Sequence, residues 1–430
     1  MKYKLNKYLY TKQNNDIIIV YNLLSNFIFA LNQKKYFLLQ NSDLSELKES
    51  RSTLFSAMEK LGVIVPVDFN EIDQVKFTNR KTVFDTRQYR LTINPTLECN
   101  FHCWYCYEEH PKGRMTEDTM QAVVNHIKLK IKDKSMQYLH LDWFGGEPFV
   151  YFDEIVFPLS KTIKQIAEEN NIVFRNITTT NGFLLNAKRI QQLEEIGLTQ
   201  LQITLDGNEE MHNKIRHDKQ KNSFRTIVEN INLLAEYPNN NISVRINYTE
   251  KTLFGINDIM SFFSDNAKKR ITILFQQVWQ DSVKKYISCE NNKKEFEKNG
   301  FKVHKHHLNK GNVCYADLLQ QAVINFDGRV FKCTARDFNT TKADGLLLPD
   351  GEIQWNMPML AKRMGCATFE NEHCLTCKLV PVCLGPCSQK MVEFTTGQDF
   401  QPLCLSEGIK AILDENIENF YNNLQKEKII

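Results

Sequence analysis

The stretch LECNFHCWYCYEEH, Leu97 to His110, places Cys99, Cys103 and Cys106 within eight residues. Three thiolates on so short a loop fall one ligand short of a closed tetrahedral zinc site, which wants four Cys or His. Immediately before it runs YRLTI (89–93), a β-branched and aromatic run that reads as a strand. Further runs of the same kind follow at LHLDWF (139–144), FRNITTT (174–180), LQITL (201–205), ISVRINY (242–248) and ITILFQQV (271–278). The segments between them carry helical apolar spacing, and TEDTMQAVVNHIKLKIK from Thr116 opens with Thr and Glu as a capped helix does. Six strand and helix units in succession predict an α/β fold, with parallel strands and crossover helices forming a partial (β/α)6 barrel of TIM type over 86–285.

The rest of the chain sets limits. At 430 residues it is long enough for two or three domains with ample core. Lys plus Arg, 54, nearly balances Asp plus Glu, 51, so no charge excess points to nucleic acid or a membrane surface. The N-terminal MKYKLNKYLYTKQNNDIIIVYNLL interrupts its apolar residues with Lys, Gln, Asn and Asp, unlike a signal peptide, and no run elsewhere is long enough to span a bilayer. A soluble, cytoplasmic protein is expected. In that reducing compartment the 12 cysteines read as metal ligands rather than disulfides. Their distribution agrees: three lie at 99–106, nine from Cys289 onward, and 182 residues between hold none.

In a barrel of this kind the chemistry gathers where strands end and loops begin. The cysteine loop follows the first strand. GGEP (Gly145 to Pro148) follows the second, TNG (Thr180 to Gly182) the third, and TLDG (Thr204 to Gly207) ends the fourth. Singly, a GG, a TNG or a DG is a turn. Their shared placement predicts convergence on one mouth.

The CxxxCxxC spacing, with Tyr105 before its last cysteine and GGEP after the next strand, resembles the radical S-adenosylmethionine enzymes. The resemblance implies a four-iron, four-sulfur cluster on Cys99, Cys103 and Cys106, with S-adenosylmethionine chelating the remaining iron. It implies cofactor-binding roles for Tyr105, Gly145, Gly146, Glu147, Thr180 and Asn181. Thr204 would lie near the ribose or carboxylate of the cofactor, and Arg216, in HNKIRHD, would offer that carboxylate a planar fork. Reduction of the cluster would release a 5′-deoxyadenosyl radical that removes hydrogen from an unactivated carbon, the electron coming from a donor such as flavodoxin or ferredoxin.

The later cysteines carry a second pattern. Cys314 is followed by Gly328 and Cys333, then CLTCKLVPVCLGPC supplies Cys374, Cys377, Cys383 and Cys387, and Cys404 follows after a gap. This order resembles the SPASM domain, expected over 313–410 with a closing helix at 411–430. It implies two auxiliary four-iron clusters, one on Cys314, Cys333 and Cys387, the other on Cys374, Cys377, Cys383 and Cys404. A fourth ligand to the first would be Cys289 or Cys366, or the position would stay open. A connector is expected over 286–312, where His304, His306 and His307 stand in a Lys and Asn-rich stretch.

Residues 1–85 read as strands at YLYTK, DIIIVYN and NFIFALN, then helical patterns over 34–61 ending in LGVIVP, a small winged-helix-like unit. This resembles the precursor-recognition domain of ribosomal-peptide maturases, where a leader peptide adds as a strand. The resulting expectation is a peptide maturase that installs a thioether, carbon–carbon or carbon–oxygen crosslink in a precursor peptide. Two other readings stand beside it. A sulfatase-maturing, formylglycine-forming enzyme would keep an Asp directly after the cysteine matching Cys333. Here Thr334 stands there and Asp337, a candidate base, lies three residues on. The third reading is an iron–sulfur redox sensor on DNA, which gives GGEP no purpose.

Overall fold

The computed structural model describes residues 2–217, 222–281, 287–304, 313–365, 369, 371–393 and 403–427. Cys366, His306 and His307 lie outside the described residues. The chain separates into two compact units: one comprises 1–85, 306–319 and 358–430, the other 86–305 and 320–357. The segment expected to form one C-terminal domain is therefore shared between the two units.

In the first unit, β1 (Tyr3–Leu5) precedes an antiparallel meander of β2 (Leu9–Asn14), β3 (Ile17–Asn22) and β4 (Phe27–Asn32). Helices at Gln33–Asn41, Leu44–Ser50 and Ser52–Lys60 follow, and β5 (Ile64–Pro66) returns to pair antiparallel with β1. The second and third of the expected strands sit where Ile17–Asn22 and Phe27–Asn32 supply β-branched and aromatic residues. A helix at Glu71–Val83, absent from the sequence reading, ends the segment. The C-terminal helix Ser406–Lys426 packs on this meander: Tyr10 Oη bonds Asp414 Oδ1 at 3.1 Å, and Asn15 Nδ2 donates to Tyr421 Oη at 2.9 Å. Its buried Leu413 and Ile417 join a core with Tyr8, Ile19, Leu379 and Val380.

The second unit realises the α/β expectation. β6 (Gln88–Ile93), β7 (Tyr138–Trp143), β8 (Val173–Thr180), β9 (Leu198–Asp206), β10 (Asn241–Tyr248), β11 (Thr272–Gln277) and the short β12 (Lys302–Val303) lie parallel in sequence order. Residues of one pleat face, among them Leu91, Leu141, Ile203, Val244 and Ile273, are buried with Val123, Ile163, Leu193 and Ile231 of the crossover helices. The alternate residues, including Arg90, Asp142, Thr204 and Arg245, face the interior of the curved sheet. The sheet does not close on itself, because β13 (Gln321–Ile324) takes the free edge of β6 in parallel register. β14 (Arg329–Phe331), β15 (Gly345–Leu347) and β16 (Ile353–Trp355) extend it antiparallel to eleven strands.

One buried clamp joins this extension to the barrel. His126, on the helix Glu117–Ile131 that Thr116 caps as expected, lies between Tyr89 Oη at 2.6 Å and the Gly351 carbonyl at 2.7 Å. Because a carbonyl only accepts, Nδ1 carries the proton and Nε2 accepts from the tyrosine. Gly351 has φ +94°, and a Cβ there would meet the His126 backbone nitrogen at 2.4 Å. Burial holds the His126 imidazole down at about 4. An unfolded histidine takes its proton near pH 6.5, so His126 stabilises the fold above that pH and loses its contribution as pH falls toward about 4. In urea titrations the stability advantage of the wild-type chain over His126→Gln is expected to be largest near pH 7 and to shrink by about 3 kcal/mol by pH 4. A gap independent of pH would show that the histidine is not held neutral.

Candidate active site

The cysteine loop leaves β6 through Asn94, Pro95 and Thr96 and is built largely on backbone contacts. Thr96 Oγ1 accepts from Glu98 N at 3.0 Å, His110 Nδ1 donates to Leu97 O at 2.8 Å, and Cys106 N donates to Cys103 O at 3.0 Å. Phe101 N donates to Cys99 Sγ at 3.4 Å. Cys99 and Cys103 are partly buried, and Cys106 is exposed. Burial raises all three thiols, and in each case the Arg216 guanidinium opposes it. One cation thus lies within electrostatic reach of all three sulfurs.

The GGEP loop locks onto this segment. Gly145 has φ +100°, where a Cβ is disfavoured, and that Cβ would also meet Thr96 O at 2.4 Å. A Cβ on Gly146 would meet both Leu97 O and Glu98 O at 2.3 Å. Both positions therefore need glycine for the chain's own packing, independently of any cofactor. Glu147 N donates to Glu98 O at 2.8 Å, completing the seam.

Glu147 carries the link to the third loop. Its Oε1 accepts from Thr180 Oγ1 at 2.7 Å and Phe149 N at 3.0 Å, and its Oε2 accepts from Asn181 N at 2.7 Å. Burial raises this carboxylic acid while the three donors pull it back. Asn181 in turn donates through Nδ2 to Asn100 Oδ1, inside the cysteine loop, at 2.7 Å. Glu147, Thr180 and Asn181 act here as a bracket between loops.

The remaining predicted residues meet on the opposite side. Tyr105 Oη donates to Asp206 Oδ2 at 2.5 Å, and accepts from Arg216 Nη1 at 2.8 Å and Asn247 Nδ2 at 3.0 Å. Arg216 is 3.9 Å from Asp206, and their side chains are only 12% and 1% exposed. Arg216 is thus a buried member of the site. Burial lifts the Asp206 carboxyl to about 6 despite Arg216 and Tyr105. Thr204, two residues before Asp206 on the same pleat face, is buried and in register with Arg245. Asp206, Asn247 and Asn100 were missed as site residues. Asp206 was visible only as part of a turn motif, and neither asparagine belonged to any motif.

A sulfonium cofactor with an amine, a carboxylate and ribose hydroxyls needs polar atoms that are buried yet uncommitted. Among the described residues Asp206 Oδ1, Arg216 Nε and Asn100 Nδ2 are such atoms, buried without a hydrogen-bond partner. The residues present fit the group.

Asp337 is placed otherwise. Its carboxylate accepts from Glu109 N at 3.1 Å, Asn339 N at 3.3 Å, Thr340 N at 3.2 Å and Thr340 Oγ1 at 2.7 Å. Burial pushes its pKa up, but these donors outweigh burial and leave the pKa below its ordinary value. That is a clamp from a turn onto the end of the cysteine loop, whereas a general base is most effective with a pKa near the working pH.

Four later cysteines also converge. Cys374, Cys377, Cys383 and Cys404 line one cavity of about 20 Å³ together with His373, whose Nε2 is 3.9 Å from Cys404 Sγ. Cys314 and Cys387 line a second cavity, of about 450 Å³, with Arg80 and Arg363. Cys333 belongs to the barrel unit, where it follows β14 and accepts from Ala335 N at 3.3 Å. Cys289 is buried in the barrel's apolar core. Among the described residues no group of three His, Cys, Asp or Glu side chains is gathered to hold a metal ion, and no helix is long and apolar enough to cross a membrane.

Comparison with known proteins agrees with the geometry of the barrel. Residues 93–253 match the model of the Radical SAM superfamily. A GTP 3′,8-cyclase of Clostridium perfringens (strain SM101 / Type A) is 27% identical over 187 residues, 43% of this chain and 54% of its own length. A probable GTP 3′,8-cyclase of Methanococcus maripaludis (strain C6 / ATCC BAA-1332) is 30% identical over 128 residues, 28% of this chain and 37% of its own. The chain thus spans at most about half the length of these curated relatives. Among solved structures, native anSMEcpe with bound AdoMet and Cp18Cys peptide matches with a TM-score of 0.57 at 17% identity, over 78% of this chain and 99% of that one. That likeness is one of fold. The family implies S-adenosylmethionine and a four-iron cluster. Residues 93–253 of this chain form a radical SAM domain.

Proposed function

We propose that this protein is a radical S-adenosylmethionine peptide maturase that forms a thioether, carbon–carbon or carbon–oxygen crosslink in a ribosomally made precursor. The observation that carries the radical chemistry is the seam of Gly145 and Gly146 against the carbonyls of Thr96, Leu97 and Glu98, which presents three cysteines beside buried, uncommitted polar atoms. When bound, cluster and cofactor together supply a primary carbon radical that can remove hydrogen from an unactivated carbon. The chain's own residues do the rest. Tyr105 and Asp206 wall one side of the site, Arg216 offsets the negative charge of the sulfurs, and the Glu147 bracket holds the loops in register.

The peptide reading rests on the second set of cysteines, whose order resembles the SPASM domain, and on the N-terminal strands and helices as a leader-recognition domain. The anSMEcpe structure holds a peptide, which favours the same substrate class here. Auxiliary clusters on Cys374, Cys377, Cys383 and Cys404, and on Cys314, Cys333 and Cys387, would take up an electron as the new bond closes, or bind and activate the peptide. A flavodoxin or ferredoxin would supply the first electron. The curated relatives are named for a reaction on GTP, but they match over little more than half their length, so the substrate is not carried across.

Anaerobically reconstituted protein with dithionite and S-adenosylmethionine is expected to form 5′-deoxyadenosine, and Cys99→Ala, Cys103→Ala or Cys106→Ala to abolish it. Absence of product in a chain carrying its full iron would end the radical reading. With a precursor encoded nearby, mass spectrometry should show loss of two hydrogens; an unmodified precursor under conditions of cofactor cleavage counts against the maturase. Asp337→Asn separates the crosslinking reading from formylglycine formation. It is expected to keep deoxyadenosine formation and crosslinking and to cost about 1–2 kcal/mol of stability, as for a lost turn clamp. Full stability with abolished product formation would restore Asp337 as the base.

A further inference from the structure

Tyr8 is 1% exposed, and among the described residues its hydroxyl has no hydrogen-bond partner. A buried donor left unpaired costs about 1–3 kcal/mol, so such a group asks for an acceptor. The backbone of Tyr8 is fixed, its N–H donating to Asn6 Oδ1 at 2.9 Å and its carbonyl accepting from Leu23 N at 2.9 Å. Its ring belongs to the buried core that Leu379, Val380 and Val382 form, against which Cys377 and Cys383 pack. Leu379, Val380 and the two cysteines also line the four-cysteine cavity.

Burial raises the pKa of the Tyr8 hydroxyl, and Glu71 and Cys377 add to that rise. Glu71 is already engaged: its Oε2 takes Lys4 Nζ at 3.0 Å and its Oε1 takes Lys7 N at 3.2 Å. Among the described residues Cys377 Sγ accepts from Leu379 N, at 3.4 Å, and a sulfur bound to iron keeps lone pairs for more than one donor.

We propose that Tyr8 is a positioning residue for the auxiliary centre, donating its hydroxyl hydrogen bond to Cys377 Sγ when that sulfur is a cluster ligand. This inference rests on the reading of Cys374, Cys377, Cys383 and Cys404 as a cluster site. Its consequence is that the N-terminal domain, which the leader-recognition reading assigns to the peptide, helps to set the reduction potential of a redox centre. A hydrogen bond to a cluster sulfur stabilises the more negative, reduced state and so raises the potential. Tyr8 stands immediately before β2, so a strand docked on the meander of β2, β3 and β4 would act on the residue that touches the cluster.

The test uses the full chain with Cys99→Ala, Cys103→Ala and Cys106→Ala to silence the first centre, with and without Tyr8→Phe, reconstituted anaerobically. Redox titration followed by electron paramagnetic resonance is expected to show one auxiliary potential displaced to a more negative value by Tyr8→Phe, the other unmoved, at unchanged iron content. Thermal unfolding gives a second readout that a purely structural role would not reproduce. In the iron-free chain Tyr8→Phe should leave the midpoint unchanged or higher, because it removes an orphaned hydroxyl; in the loaded chain it should lower it. Loss of one centre's iron from a Tyr8→Phe chain whose iron-free form is as stable as its parent also supports the contact. Unmoved potentials, or equal midpoint shifts in both forms, overturn it. A Cys374→Ala/Cys377→Ala control that loses no iron would refute the cluster site itself, a separate failure.

Discussion

Everything in the barrel mouth hangs on the distance between two backbones. The carbonyls of Thr96, Leu97 and Glu98 stand where the Cβ atoms of residues 145 and 146 would be, at 2.3 to 2.4 Å. No side chain can be accommodated at that spacing by a small shift, since backbone atoms on both sides are tied into strands and turns. The contact aligns the end of β7 with the exit from β6, and Glu147, at its end, passes the alignment to β8 through Thr180 and Asn181. Asn181 returns it to Asn100. The ring of contacts holds the loop that carries the three cysteines at both ends.

That construction places charge where water is scarce. Burying a carboxylate and a guanidinium is costly unless each is paired and hydrogen-bonded. Asp206 and Arg216 meet that condition only in part: they share Tyr105 Oη between them at 2.5 and 2.8 Å, while one atom of each stays uncommitted. A site built for stability alone would have closed those valences. Arg216 also opposes the rise that burial imposes on the three thiols, most directly at Cys103. Its position therefore serves the sulfurs as much as any incoming carboxylate.

Much of this could be read from the chain, and what could not has a common cause. The six strands were visible because each carries a short β-branched or aromatic run between helical patterns, and the cysteine spacing names its chemistry without a fold. Gly145 and Gly146 were also visible, but the reason for them was not: the crowding atoms lie about fifty residues earlier, on the loop that the glycines support. Asp206 looked like half of a turn, and Asn247 like an ordinary strand residue; only the register of β9 with β10 brings them to Tyr105. The His126 clamp joins residues 225 apart in sequence. Asp337, read as a candidate base from its place after Cys333, has four donors to its carboxylate that the sequence does not reveal. The terminal helix, expected over 411–430, runs over Ser406–Lys426, and its partner, the N-terminal meander, is four hundred residues away.

The two cysteine sites differ in what holds them. The first rests on a parallel sheet whose strands are already paired. The second rests on helices of five and four residues, Glu372–Thr376 and Val380–Cys383, which carry or adjoin Cys374, Cys377 and Cys383. Isolated helices that short do not persist in water, since nucleation fixes several residues for one hydrogen bond. Their support comes from Leu379, Val380 and Val382, packed on Tyr8, Leu413 and Ile417. Cys374, Cys377, Cys383 and Cys404 line a cavity of about 20 Å³ beside them. The N-terminal meander and the C-terminal helix, remote in sequence, are thereby drawn into one unit with the cysteines.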